Sequence, residues 1–387
     1  MADLVVLADD WGELPSSTQH LMTNLMKKHR IIWVNTIGIQ KPKLSIRRMF
    51  RIFRKTAAIS QDSTDLHPHI VNPKMLPFHG INTVRKINKY LLQKSITEAI
   101  NALDLHNIIL WVSLPTATDI VGTLGERASI YYCCDDIDAL DGFAHPSIKP
   151  MEKELISKVD LTLVVNRQLA HKLPDGNTLI LPHGVDYPLF STLREKPIDL
   201  PDTGPIAGFY GSLSAHLDVE MLAQSATALP KWQFVFIGDI EADVSSLQEL
   251  PNVHFLGPKI YSQLPAYVQN WDVALLPFHL NRQIDACNPL ILKEYLASGT
   301  PIASISFPAV TPYSDYIAIQ KNKEPFSRVI QRANEQALKA RSRQKQVMRE
   351  SWSYRANQLE ELIIHLDKKQ LSKNKLTKKA TLNNNQA

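Results

Sequence analysis

Short apolar segments alternate with helix-forming segments along the chain, and this pattern occurs twice. Such alternation predicts a parallel β-sheet with helices packed on both faces. The candidate strands of the first half are Leu4–Leu7, Ile31–Val34, Ile108–Val112, Ser129–Tyr132, Leu161–Val165 and Leu179–Leu181. Those of the second half are Ile206–Tyr210, Phe234–Ile237, Val253–Phe255, Val273–Leu276 and Ile302–Ile305. We therefore predict two successive doubly wound α/β domains.

The length of 387 residues also favours two domains, because one hydrophobic core rarely supports so long a chain. We predict an N-terminal Rossmann-like domain over residues 1–190 and a proline-containing linker over residues 191–205. A second Rossmann-like domain would span residues 206–340, followed by a helix over residues 341–366. The polar, lysine-rich residues 367–387 are predicted to form a disordered tail.

The net charge of +5 is unevenly distributed. Residues 41–55 contain seven basic residues and no acid, and the tail from Asp367 onward has six lysines. A nucleic-acid-binding surface would spread its charge more evenly, and no zinc-finger, RNP or basic-zipper pattern accompanies it, so we predict no nucleic-acid partner. Two local basic patches on an otherwise acidic chain instead favour contact with an anionic membrane surface.

The basic segment of the first half has helical periodicity, with apolar side chains on one face and arginines on the other. A short helix of this kind can lie in an anionic membrane interface. The alternative is a helix that packs on its own domain and exposes its basic face to water. The residues predicted to contact a membrane or an acidic acceptor are Arg47, Arg48, Phe50, Arg51, Phe53 and Arg54.

The expected location is the cytoplasm, with peripheral binding to the inner face of the cell membrane. The N-terminus lacks the basic region and the cleavage site of a signal peptide, so we interpret it as a first strand, and no apolar run approaches the roughly 20 residues that span a bilayer. Three cysteines, two of them adjacent, suit a reducing compartment and offer no metal-binding spacing. No metal site is predicted.

The stretch of residues 288–301 combines an anion-binding helix start with a carboxylate. Asn288 is expected to cap a helix whose first turn contains Pro289. The N–H groups of Leu290 and Ile291 would then face outward at the positive end of the helix dipole. Glu294 would follow on the same helix, where a carboxylate can accept hydrogen bonds from sugar hydroxyls. The alternative is an ordinary buried helix with good caps.

Other strand ends of the second domain carry glycine, a hydroxyl or a cation: Gly211 and Ser212, Gly238, Lys259 and Tyr261, and Arg282. Because the carboxyl ends of parallel strands share one edge of a sheet, these residues predict a ligand-binding rim. The first domain carries acids at two strand ends, Asp9-Asp10 and Asp135-Asp136, and ends with His183-Gly-Val-Asp186. Adjacent acids could bind a sugar or act as a base, or they could be solvated loop caps. No Walker A, G-x-G-x-x-G, nucleophile-elbow or H-E-x-x-H motif occurs.

Taken together, these segments resemble the GT-B glycosyltransferases, and in particular the group 1 or family 4-like bacterial enzymes that build teichuronic acid and other surface polysaccharides. The resemblance is strong in the second half and loose in the first. The matching segments are Tyr131–Asp136, Leu181–Asp186, Gly208–Leu213, Pro251–Gly257, Leu264–Tyr267, Asp272–Phe278 and Asn288–Pro301.

This resemblance implies two Rossmann-like domains that face a cleft, with a C-terminal helix that crosses back to the first domain. It implies a nucleotide-sugar donor, a glycan or lipid-linked glycan acceptor, and transfer without a metal or other cofactor. By the match, Asp135, Asp136 and Arg282 would be catalytic. The donor would contact Gly211, Ser212, Lys259, Tyr261, Asn288, Pro289, Leu290, Ile291 and Glu294, with Glu294 at the ribose and the helix start at the diphosphate.

The chain departs from the family pattern where positive charge is expected. Ser212 stands where relatives often have Arg, and Ile291 stands where they usually have Lys, with a lysine at Lys293 instead. Either Arg282 or Lys259 would have to supply the missing charge. Two other functions therefore stay open: a GT-B sugar-nucleotide epimerase or hydrolase, and a catalytically inactive GT-B partner protein.

Overall fold

The structure is a computed structural model that describes residues 2–12, 15–35, 67–76, 80–137, 148–173, 177–322 and 324–366. The chain forms two compact units, one made of Met1–Pro182 with the segment from Arg355 onward and the other of His183–Tyr354. The second unit thus begins earlier in the chain than the predicted linker. The membrane contacts predicted at residues 47–54 and the basic tail lie outside the described residues.

The first unit contains a seven-stranded sheet in the order β3-β2-β1-β4-β5-β6-β7, in which each described pair is parallel. Its strands are β1 Asp3–Ala8, β2 Ile31–Asn35, β3 His69–Val71, β4 Ile108–Val112, β5 Ala128–Cys133, β6 Leu161–Val164 and β7 Thr178–Ile180. The central strands are fully buried and nearly continuous in apolar residues, because helices cover both faces of a parallel sheet.

The helices of the first unit are Ser17–Leu25, Asn82–Ala102, Ile148–Lys158 and Arg167–Lys172, with a 3₁₀ helix at Pro115–Ile120. A further helix, residues 352–366, begins in the second unit and continues into the first. From this helix Leu359, Ile363 and Leu366 are buried, and Glu360 forms an ion pair with Lys28 at 2.7 Å. The C-terminal segment therefore completes the core of the first unit.

The second unit contains a six-stranded parallel sheet in the order β10-β9-β8-β11-β12-β13. Its strands are β8 Ile206–Tyr210, β9 Gln233–Ile237, β10 Val253–Phe255, β11 Val273–Leu276, β12 Ile302–Ser304 and β13 Ala318–Ile319. Its helices are Tyr187–Ser191, Val219–Ala228, Ser245–Gln248, Leu264–Val268, Arg282–Ala286, Leu290–Ser298, Phe326–Asn334 and Ala340–Val347. Short 3₁₀ helices occupy Tyr261–Gln263, Pro308–Tyr313, Ala337–Lys339 and Met348–Glu350.

In both sheets the strand order reverses beside the first strand, between β1 and β4 and between β8 and β11. Doubly wound sheets bind their ligands at this switch point, outside the carboxyl ends of the strands. The predicted α/β class with two Rossmann-like sheets is therefore confirmed. Ligand-binding residues are therefore expected at the carboxyl ends of β1, β4, β8 and β11.

Candidate functional site

At the switch point of the second unit, the backbone after β8 approaches the backbone after β9 very closely. Gly211 has φ +140° and Gly238 has φ +146°, a region that residues with a Cβ rarely adopt. A Cβ on Gly238 would lie 1.9 Å from the Gly211 carbonyl oxygen. Both glycines are therefore needed for this rim. Ser212, predicted to lie near the donor phosphates, follows Gly211 and is exposed.

The helix Leu290–Ser298, called the 290–298 helix below, begins one residue later than predicted. Pro289 occupies the N-cap position with φ −66° and ψ 127°, and no side chain caps the helix. The prediction that Asn288 is the cap was wrong, because Pro289 itself has an extended ψ, so Leu290 is the first helical residue and the cap position falls on Pro289. Asn288 thus lies outside the helix. The amides of Leu290 and Ile291 have no intrahelical acceptor, so the helix start keeps its capacity to bind an anion.

Glu294 lies on the 290–298 helix with only 6% of its surface exposed. Its carboxylate accepts hydrogen bonds from the hydroxyls of Tyr210 and Tyr261, the latter at 2.7 Å. Burial raises the pKa of Glu294, the two tyrosine hydrogen bonds lower it, and the nearby carboxylate of Asp186 raises it. A carboxylate has about four lone-pair sites, so two remain for a ligand hydroxyl.

Both tyrosines that hold Glu294 are themselves fixed by aromatic packing. Tyr210, the last residue of β8, lies edge-on to the ring of Tyr295 at 5.3 Å, and its amide donates to the Tyr295 hydroxyl. Tyr261 lies edge-on to Phe190 at 5.7 Å. The carboxylate of Glu294 therefore has a defined orientation in the absence of any ligand, as a preorganised binding group requires.

Lys293 and Lys259 are both held by partners within the protein. Lys293 is buried, and its ammonium donates to the His183 carbonyl oxygen at 2.6 Å and to Glu350 at 2.5 Å. Lys293 therefore does not take over the place of the family lysine. Lys259 pairs with Asp199 at 2.7 Å.

Arg282 differs from both lysines. It is the first residue of the helix Arg282–Ala286, and its side chain is exposed. In the part of the chain that the structure describes, its guanidinium forms no ion pair. Of the two cations proposed to compensate for Ser212 and Ile291, Arg282 is therefore the one that is open to a ligand.

The segment His183–Asp186 belongs to the second unit, although we predicted it at the end of the first domain. Its backbone pairs with the segment after Glu350: the Val185 amide donates to the Glu350 carbonyl at 3.0 Å, and the Trp352 amide to the Val185 carbonyl at 3.1 Å. A Cβ on Gly184 would lie 2.7 Å from the Trp352 ring, so only glycine permits this approach. Sequence reasoning missed Glu350, because no local pattern links it to Lys293.

At the carboxyl end of β5 in the first unit, the two predicted catalytic acids have different surroundings. Asp136 is buried and forms an ion pair with Lys172. Asp135 is accessible to solvent, and desolvation by the surrounding protein, then the carboxylates of Asp9 and Asp136, raise its pKa. Asp9, at the end of β1, is thus a neighbour of Asp135. The structure leaves Asp135 as the acid that could take a proton.

His20 lies in the helix Ser17–Leu25 of the first unit. Burial lowers the pKa of its imidazole to about 4, so the ring is neutral near pH 7. Among the described residues, no group of three or more His, Cys, Asp or Glu side chains is arranged to hold a metal ion.

Comparison with known proteins agrees with this arrangement. Residues 204–336 match the family model described as "Glycosyl transferases group 1". A curated relative, TuaH of Bacillus subtilis (strain 168), is named as a candidate teichuronic acid biosynthesis glycosyltransferase and is 28% identical over 224 residues. The match covers 52% of this chain and 56% of TuaH, so the chain spans about half the length of that relative.

Similar solved structures cover nearly the whole chain. A sucrose-phosphate synthase from Thermosynechococcus elongatus has a TM-score of 0.69 at 14% identity, covering 95% of this chain and 99% of its own. Alr3699/HepE from Anabaena, solved in complex with UDP and glucose, has a TM-score of 0.65 at 11% identity, covering 94% and 100%. These proteins are GT-B glycosyltransferases, which confirms the predicted resemblance. The chain therefore has the GT-B fold, and residues 204–336 of its second unit are similar to the glycosyl transferases group 1 model.

Proposed function

We propose that this protein is a glycosyltransferase that moves a sugar from a nucleoside-diphosphate sugar to a glycan acceptor. In this reaction the bond between the anomeric carbon and the diphosphate oxygen breaks, and a bond to an acceptor hydroxyl oxygen forms. The nucleoside diphosphate leaves, and the hydroxyl proton passes to a base, for which Asp135 is the candidate. The observation that carries the proposal is Glu294, held by two tyrosines on the helix whose first amides are open to an anion.

The donor would be bound by the second unit, within the group 1 domain. Glu294 would accept a hydrogen bond from a ribose hydroxyl, and the amides of Leu290 and Ile291 would bind the diphosphate. Gly211 and Ser212 lie on the same rim, after the neighbouring switch-point strand. Two similar structures, one with UDP and glucose and one from E. coli with UDP-2-fluoro glucose, support a nucleotide sugar as the donor.

The acceptor would be a cell-surface glycan that is linked to a lipid. Support comes from the name of the curated relative, which assigns TuaH to teichuronic acid biosynthesis. Transfer would not require a divalent metal, because fixed amides and Arg282 would neutralise the leaving diphosphate. Tyr261 and Lys259 would lie on the side of the nucleotide base, with Lys259 held by Asp199.

This function is tested by donor turnover in EDTA with and without an acceptor. We expect release of nucleoside diphosphate from one of a panel of UDP, GDP and dTDP sugars, and we expect that release to require a glycan acceptor. Equal turnover without acceptor would identify a hydrolase or epimerase instead. Nucleotide binding without any turnover would identify an inactive partner protein, and loss of turnover in EDTA would contradict metal independence.

We predict that Arg282→Ala lowers kcat/KM about a hundredfold, because a charge-assisted contact to the leaving diphosphate would be lost. The helix Arg282–Ala286 is capped by Asn281, so the substitution leaves its start intact. Arg341→Ala, an exposed arginine of the same unit, is the matched control and should match the wild type. The measurement is kcat/KM with the identified donor. Equal values for Arg282→Ala and Arg341→Ala would show that Arg282 does not contribute to catalysis.

A further inference from the structure

A basic and apolar surface lies on the outward face of the helix Asn82–Ala102 in the first unit. We define it by Lys86, Ile87, Lys89, Tyr90 and Lys94 of this helix together with Ile81, the residue that precedes it; all six are exposed. Lys86, Tyr90 and Lys94 recur every four residues, so they share one face of the helix. Tyr90 is 65% exposed, Ile81 53% and Ile87 42%.

The opposite face fixes this helix to the first unit. Leu92, Ile96 and Ala99 are buried. Arg85 pairs with Asp119 at 2.7 Å and with Glu154 at 2.8 Å. The basic and apolar surface is therefore presented by a rigid element.

The charge of this surface is uncompensated. In the part of the chain that the structure describes, Lys86, Lys89 and Lys94 form no ion pair, in contrast to Arg85. No acidic residue occurs in the sequence from residue 67 to residue 97. Three unpaired lysines thus share the exposed part of this helix with Ile87 and Tyr90, and the first acid on the helix is Glu98, one turn beyond Lys94.

We propose that this surface docks the first unit on an anionic phospholipid bilayer. The lysines would contact lipid phosphates, while Ile87 and Tyr90 would enter the interface, where amphipathic tyrosine rings are favoured. Lysine stems add apolar contact while their ammonium groups stay in the head-group layer. None of the helices that the structure describes is long and apolar enough to cross a membrane, and this docking is peripheral.

The surface is distinct from the basic segment at residues 41–55, which lies outside the described residues. It also does not depend on the proposed activity, because binding to vesicles requires neither donor nor acceptor. A stable peripheral contact usually needs more than one weak signal, and lysine attraction combined with interfacial aromatic contact provides two.

The test is cosedimentation of the full chain with vesicles of phosphatidylcholine alone or mixed with phosphatidylglycerol. We expect the wild type to bind only the anionic vesicles. Changing Lys86, Lys89 and Lys94 together to Ser should weaken binding roughly a hundredfold. Each lysine near an anionic surface contributes roughly a fivefold gain in affinity, and the three contributions multiply. The control replaces three exposed lysines elsewhere, Lys153, Lys231 and Lys345, by Ser and should bind like the wild type.

A second variant separates a membrane from a soluble polyanion. Ile87→Ser with Tyr90→Ser keeps the charge, so it should lose vesicle binding yet leave binding of a soluble acidic polysaccharide unchanged. Vesicle binding that survives both sets of substitutions would overturn the proposal. Equal loss in the lysine variant and its control would also overturn it, since that result indicates only a reduction in total charge.

Discussion

Glu294→Gln should weaken binding of the donor nucleotide about ten- to a hundredfold, since a hydrogen bond to a charged acceptor contributes roughly 1.5–3 kcal/mol. Glutamine preserves the shape of the side chain, and its amide can still accept from Tyr210 and donate to Tyr261. Alanine would instead leave the buried Tyr210 hydroxyl without an acceptor. A loss of nucleotide binding could then not be distinguished from a loss of folding stability. Isothermal titration of UDP, GDP and dTDP, in EDTA, measures the effect.

The matched control is Glu335→Gln, which removes an exposed carboxylate from the same unit. This control should bind the nucleotide like the wild type and should unfold at the same temperature. Nucleotide affinity that is unchanged in Glu294→Gln would exclude Glu294 as the ribose ligand. Its burial between two tyrosines would then be purely structural, and the donor site would have to be sought elsewhere on the rim.

Lys293→Met should destabilise the backbone pairing of residues 183–186 with residues 350–352 by about 3–5 kcal/mol, the usual effect of removing one partner from a buried ion pair. The side chain of Lys293 is 4% exposed and that of Glu350 is 25% exposed. Because the unpaired Glu350 can be partly solvated, the destabilisation should fall near 3 kcal/mol, roughly the lower end of this range. Hydrogen exchange of the Val185 and Trp352 amides reports this opening directly, since both donate within the pairing. Exchange of the β11 amides should change much less.

Replacing both partners, Lys293→Met with Glu350→Met, should restore most of the lost protection, because well-packed apolar pairs often match buried ion pairs in stability. A different outcome would change the assignment of the lysine. If Lys293→Met left exchange at Val185 unchanged but abolished nucleotide binding, Lys293 would be a phosphate ligand after all.

The strands around the candidate site could be predicted largely from sequence, because both faces of their sheet are buried. β8 and β11 have the predicted bounds because each is a buried parallel strand, a short apolar run that ends at polar or turn residues. β10 also has the predicted bounds, although it is a half-buried edge strand. β3 and β13 were missed. They have three and two residues and lie at sheet edges, and His69 and Ile70 of β3 are exposed, so no buried pattern marks them.

Helix starts and long-range pairs were less predictable. Asn288 has the chemistry of a cap, but the extended ψ of Pro289 moves the start of the helix one residue further along the chain. The partners of Lys293 are far away in the sequence: Glu350 lies 57 residues from it, and His183, whose carbonyl accepts from it, lies 110 residues from it. Sequence spacing carries no information about pairs so far apart.

The order of the two units along the chain has a consequence for synthesis. The first unit is discontinuous: residues 1–182 leave the ribosome first, the whole second unit follows, and only then do Leu359, Ile363 and Leu366 become available. At typical elongation rates of about 5–20 residues per second, the incomplete first unit would wait on the order of ten seconds with part of its apolar surface uncovered. The second unit is contiguous, so all of its residues leave the ribosome before Leu359, Ile363 and Leu366 do. Slowed translation of the C-terminal helix would therefore prolong a nascent state in which the apolar surface of the first unit is exposed, after nearly all of the second unit has been synthesised.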